Sequence, residues 1–100
     1  MEEQVTFSAG DTTLEGLFQT PAQTPTLGAV LCHPHPLYGG EMHNNIVSAL
    51  MTAFQQADVA TLRFNFRGVG RSSGSHGQGE AELEDVKAAV TYLLSRQPFQ

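Results

Sequence analysis

The chain has 100 residues, 40% of them apolar and 15% charged, with a net charge of −5; this is the composition of about one small globular domain and excludes disordered and fibrous classes. Its Arg residues, at 63, 67, 71 and 96, and its one lysine, Lys87, are scattered, so no concentrated positive field exists to hold a nucleic acid. The single cysteine, Cys32, excludes an intramolecular disulfide, the N-terminus MEEQVTFSAG is acidic where a signal peptide is basic, and no apolar run approaches the roughly 20 residues of a membrane span. The expectation is a cytoplasmic protein with neither a nucleic-acid nor a membrane partner.

The first element pair is VTFSAGDTTLEGLFQTP, two strands around an AGD turn, with Val5, Phe7, Leu14, Leu17 and Phe18 as apolar positions. After the polar loop AQTPT, LGAVLCH is a short continuous apolar run, the pattern of a strand covered on both faces. NNIVSALMTAFQQAD predicts a helix: Ile46, Val47, Leu50, Phe54 and Ala57 recur at three-to-four spacing, and Asn44 or Asn45 caps the start. VATLRFNF alternates and predicts a strand, followed by the Gly/Ser loop RGVGRSSGSHGQG. EAELEDVKAAVTYLLSRQ predicts the longest helix, with Glu80, Glu82, Glu84 and Asp85 at its positive end, Arg96 near its negative end, and Leu83, Val86, Val90, Leu93 and Leu94 as its apolar face. The order β-β-β-α-β-α implies an α/β fold with a mostly parallel sheet.

Three chemical patterns have competing explanations. His33 and His35 form an H-x-H pair, and a metallohydrolase using them is one alternative; however, zinc needs three or four ligands, Cys32 points to the other face of the strand, and Pro34 and Pro36 indicate that this segment specifies a backbone path. Gly70 to Gly74 matches G-x-S-x-G around Ser72, yet a nucleophile elbow needs a strand entering and a helix leaving at once, whereas SHGQG follows here. Gly68 and Gly70 begin a dinucleotide-type pattern, but Ser73 stands where the third Gly belongs and the helix opens only near Glu80. No cofactor and no metal site is implied.

Together, LCHPHPLYGGEMHNN and LRFNFRGVGRSSG resemble the α/β-hydrolase superfamily, and more narrowly the small bacterial hydrolases related to dienelactone hydrolase; the resemblance runs from about Val5 to Phe99. It implies the N-terminal half of an α/β-hydrolase fold, residues 1–100 being an incomplete domain that ends before the nucleophile strand. The whole enzyme is then a serine hydrolase acting on an ester-type or related acyl bond of a small molecule. The segment after the third strand contributes half of the oxyanion hole. Because Pro34 and Pro36 lack N–H groups, His35 is the first candidate donor and Leu37 the second, with the two imidazoles holding the loop rather than moving protons. Tyr38, Arg67 and Gly68 are candidates for the substrate mouth. No catalytic nucleophile, acid or base is assigned within the chain.

The resemblance also places the third strand beside the absent nucleophile strand. GAVLC becomes an apolar edge, from which self-association is expected. A non-catalytic module that needs a partner is the remaining alternative.

Overall fold

A two-residue turn starts the sheet. Strands β1 (Glu2–Ala9) and β2 (Thr12–Gln19) pair antiparallel from Ala9 opposite Thr12 back to Glu2 opposite Gln19. Gly10 takes φ +60°, which the first central position of a type II′ hairpin turn requires and only glycine adopts without strain. The structure, a computed structural model, describes residues 2–21, 27–33, 42–74 and 80–96. Within them follow β3 (Gly28–Leu31), helix α1 (Asn45–Gln56), β4 (Ala60–Phe64) and helix α2 (Glu80–Arg96).

The sheet order is β1-β2-β4-β3. β3 runs parallel to β4, with Val30 opposite Leu62, as a crossover through a helix allows. β2 pairs antiparallel with β4, with Phe18 opposite Leu62. The sheet expected to be mostly parallel is therefore mixed over the described strands. The reason is local: a two-residue turn can join only antiparallel neighbours, so the hairpin enters the sheet with its own polarity.

β4 is central, and all five of its residues are buried. Ala60, Leu62 and Phe64 face α2 and join Val5, Phe7, Ala9, Leu14, Phe18, Ala89 and Leu93 in one core. Burying a side chain the size of Phe64 is worth roughly 1.5–3 kcal/mol. Thr61 and Arg63 face the other way, where Arg63 Nη1 donates to Ser48 Oγ of α1 at 3.1 Å and to the Met42 carbonyl at 3.4 Å. The alternation in VATLRFNF thus marks two covered faces, one apolar and one polar.

Helix α1 starts where the Asn44 side-chain oxygen accepts the Ile46 N–H at 2.9 Å. It stops in a Schellman arrangement: the Val59 N–H reaches the Phe54 carbonyl, the Asp58 N–H reaches that of Gln55, and Asp58 takes φ +61°. Helix α2 buries Asp85, Ala89 and Leu93 at four-residue spacing, while Leu83, Val90 and Leu94 of its predicted apolar face stay exposed. Among the described residues, no helix is long and apolar enough to cross a membrane.

Candidate functional site

The segment after β3 begins with His33, whose side chain is buried. Its Nε2 accepts the Phe66 N–H at 3.1 Å, and its ring meets the Phe66 ring edge-on at 4.9 Å. His33 therefore ties the segment after β3 to the segment after β4. Among the described residues, no group of three His, Cys, Asp or Glu side chains is placed to hold a metal ion. His35, Leu37 and Tyr38, the candidates for the oxyanion hole and part of the mouth, lie outside the described residues. Cys32, next in line, is exposed, and partial desolvation pushes its thiol up from the ordinary value.

The segment after β4 is held by polar side chains. Asn65, 3% exposed, donates from Nδ2 to Glu15 Oε2 at 2.7 Å and accepts the Met42 N–H at Oδ1 at 2.7 Å. Its backbone N–H donates to the Glu15 carbonyl at 3.0 Å, and its carbonyl accepts the Ser72 hydroxyl at 2.6 Å. Ser72 Oγ also accepts the Glu15 N–H at 3.0 Å, and Ser73 Oγ accepts the Thr13 N–H at 2.8 Å. The two serines thus stitch the Gly/Ser loop to β2. Ser72 is buried with its hydroxyl engaged twice, which is the geometry of a loop anchor rather than of an exposed nucleophile. Gly70, at φ +56°, brings its backbone so close to the Glu15 carboxylate and the Asn65 amide that a side chain there would collide with both. The loop passes over Glu15, whose Oε2 also accepts the Arg71 N–H.

Of the two described mouth candidates, Gly68 donates its N–H to the Ser73 carbonyl at 3.0 Å and closes the loop on itself. Arg67 turns its guanidinium onto Asp85: Nη2 to Oδ1 is 2.7 Å, Nε to Oδ1 is 3.0 Å, and the Arg67 backbone N–H reaches Oδ2 at 2.9 Å. Asp85 is fully buried and the Arg67 side chain is 17% exposed. The hydrogen bonds to Asp85 push Arg67 above its usual range. The sequence marked Asp85 only as one of several acids near the helix start. The signal that separates it is phase: Asp85, Ala89 and Leu93 form one buried line, so a carboxylate in that line needs a partner within the fold.

A cleft of about 340 Å³ opens on the β1–β2 face beside Met42, lined by Gln4, Thr13, Glu15, Leu17 and Arg71 among others.

No protein-family model matches the chain. It is 34% identical over 95 residues to the uncharacterized protein RP471 of Rickettsia prowazekii, covering 95% of this chain and 40% of that protein. Among solved structures, it is similar to an α/β serine hydrolase homologue from Coxiella burnetii, with 36% identity, a TM-score of 0.87, and coverage of 93% of this chain and 45% of that one. It is also similar to XC6422 from Xanthomonas campestris, a member of the α/β serine hydrolases without a lid, with 28% identity, a TM-score of 0.91, and coverage of 99% and 47%. The chain spans less than half the length of each of these relatives.

Proposed function

From a chain that belongs to the α/β-hydrolase superfamily and has the architecture of its N-terminal half, we propose a part of a serine hydrolase that cleaves an ester-type or related acyl bond of a small molecule. The similarity to the Coxiella burnetii serine hydrolase homologue over 93% of the chain carries this reading. In the reaction, a serine Oγ attacks the acyl carbon, a histidine takes the serine proton and gives it to the leaving alcohol, and an acidic residue orients that histidine. Water then releases the acyl group by the same steps. These three groups belong to sequence other than the 100 residues given. This chain's contribution is the His35 N–H, or that of Leu37, aimed at the oxygen that becomes negative. A missing donor of this kind costs about 100- to 1,000-fold in kcat. The likeness to relatives of dienelactone hydrolase and a cytoplasmic location belong to the same proposal.

The test is hydrolysis of short acyl esters, with fluorophosphonate labelling, by the chain alone and by the chain within its uninterrupted reading frame. The proposal expects turnover and a labelled serine only in the longer product, at a serine other than Ser72. Absence of both from a longer product would favour the non-catalytic module, and labelling of Ser72 would overturn the assignment of the loop.

We also propose that the open flank of β3 associates with a second copy of the chain. Leu27, just before β3, is exposed, as are Ile46 and Leu50 of α1 and Leu83, Val90 and Leu94 of α2, which gives apolar surface for such pairing.

A further inference from the structure

Strand β1 is an outer strand of the sheet, and no described strand lies beyond it. Which of its backbone groups face outward follows from β2. Thr13 gives its N–H to Ser73 Oγ, and its carbonyl takes the Ser73 N–H. Glu15 gives its N–H to Ser72 Oγ, and its carbonyl takes the Asn65 N–H. The backbones of Thr13 and Glu15 therefore point away from β1. Their antiparallel partners, Ser8 and Thr6, point away from β2 by the same alternation, and so does Gln4 opposite Leu17. The N–H and carbonyl groups of Gln4, Thr6 and Ser8 thus form the outer edge of the sheet.

This edge has none of the devices that discourage pairing. β1 is eight residues long and holds neither lysine nor proline, and its register against β2 runs without a bulge. Its two charges stand at its start and are engaged: Glu2 accepts from Arg63 at 3.1 Å, and Glu3 from Arg96 at 2.8 Å. The side chains of Gln4, Thr6 and Ser8 are exposed. The helix side leaves room as well, because a cleft of about 430 Å³ between β1 and α2 runs along Phe7, Ser8 and Ala9.

We propose that the β1 edge binds the β1 edge of a second copy, antiparallel, about a two-fold axis at Thr6. The occupant is a second copy because the strand complements itself. In this register Gln4 faces Ser8 of the other copy and Thr6 faces Thr6, and these are the hydrogen-bonded pairs. On the α2 side Val5 faces Phe7, an aromatic and β-branched pair of the favoured kind. Glu3 faces Ala9 and Glu2 faces Gly10, so no like charges stand opposite one another. An axis at Val5 would instead set Phe7 against Glu3, and an axis at Phe7 would set Glu3 against Asp11. The contact lies at the other edge of the sheet from β3 and is independent of the reading under Proposed function. So short a contact falls below the area of stable dimers, so binding is weak and reversible.

The first test is hydrogen exchange by NMR on the unaltered chain, from about 10 μM to about 1 mM, a range suited to a contact of this size. The Gln4, Thr6 and Ser8 amides are expected to slow about fivefold once about four-fifths of the copies are paired, while Val5 and Phe7, which donate to β2, keep their rates. Rates at the three amides that do not change with concentration would overturn the proposal, as would slowing confined to β3. Slow exchange at all three in the most dilute sample would also overturn it, because the edge would then be covered from within the chain. The second test fixes the axis by sedimentation velocity, in a chain carrying Val90→Gln and Leu94→Lys to suppress contacts beside β3. Thr6→Lys and Thr6→Glu each set like charges face to face and are each expected to weaken association about fivefold, and an equimolar mixture of the two is expected to recover it. A mixture no tighter than either variant alone would overturn the proposal.

Discussion

The two flanks of helix α2 are built differently. Toward β1, Tyr92 stacks on Phe7 with ring centroids 5.2 Å apart, and Arg96 lies 4.7 Å over the Phe18 ring while donating to Glu3 Oε1 at 2.8 Å. Aromatic, cationic and acidic groups pack that side, although a cleft of about 430 Å³ opens between β1 and α2 beside Phe7 and Tyr92. Toward β3, Leu83, Val90 and Leu94 stand in solvent, Leu94 being 60% exposed, and on the opposite face of the sheet Ile46 of α1 is 68% exposed. The same helix therefore carries one flank packed by aromatic and ionic contacts, the finished flank, and one whose large apolar side chains are exposed, the unfinished flank.

The largest effect comes from breaking the joint that seats α2 for both flanks. Asp85→Ala leaves the mostly buried Arg67 charge without its carboxylate, and should cost about 3–5 kcal/mol in urea unfolding. Adding Arg67→Leu should recover part of that loss, because removing both partners is milder than orphaning one. Next, Phe7→Ala opens the finished flank by stripping contacts with Phe64 and Tyr92, and should cost about 3 kcal/mol. The matching change on the unfinished flank, Val90→Gln with Leu94→Lys, should shift stability by no more than about 0.5 kcal/mol per site while making the chain less prone to associate. A cost like that of Phe7→Ala would mean that this flank is already covered.

The smallest effect concerns pH. The Arg96 hydrogen bond holds Glu3 below its ordinary value of 4.5, so the Glu3 contribution is complete above that value and is lost as pH falls through the lower, folded-state value. Glu3→Gln should flatten the acid limb of a Tm-against-pH series below about pH 4.5 and leave the neutral region unchanged. Because Glu3 is exposed, the change should be slight.

Periodicity and capping residues made the elements legible. The hairpin around Gly10, the Asn44 cap and the extent of α2 follow from local patterns, and the structure has each of them. Pairings between distant residues were less legible. Arg67 meets Asp85 across 18 positions and Ser73 meets Thr13 across 60. No local propensity encodes either, because each depends on which strands become neighbours. His33 is an intermediate case: the prolines beside it indicated that backbone shape governs the loop, while its acceptance of the Phe66 N–H appears only in three dimensions.

Sedimentation velocity over a wide range of chain concentrations tests most directly whether the β3 flank is unfinished. The account predicts reversible association that strengthens with concentration and weakens in the Val90→Gln, Leu94→Lys variant. A chain that stays monomeric at every concentration and melts in one cooperative transition would contradict it.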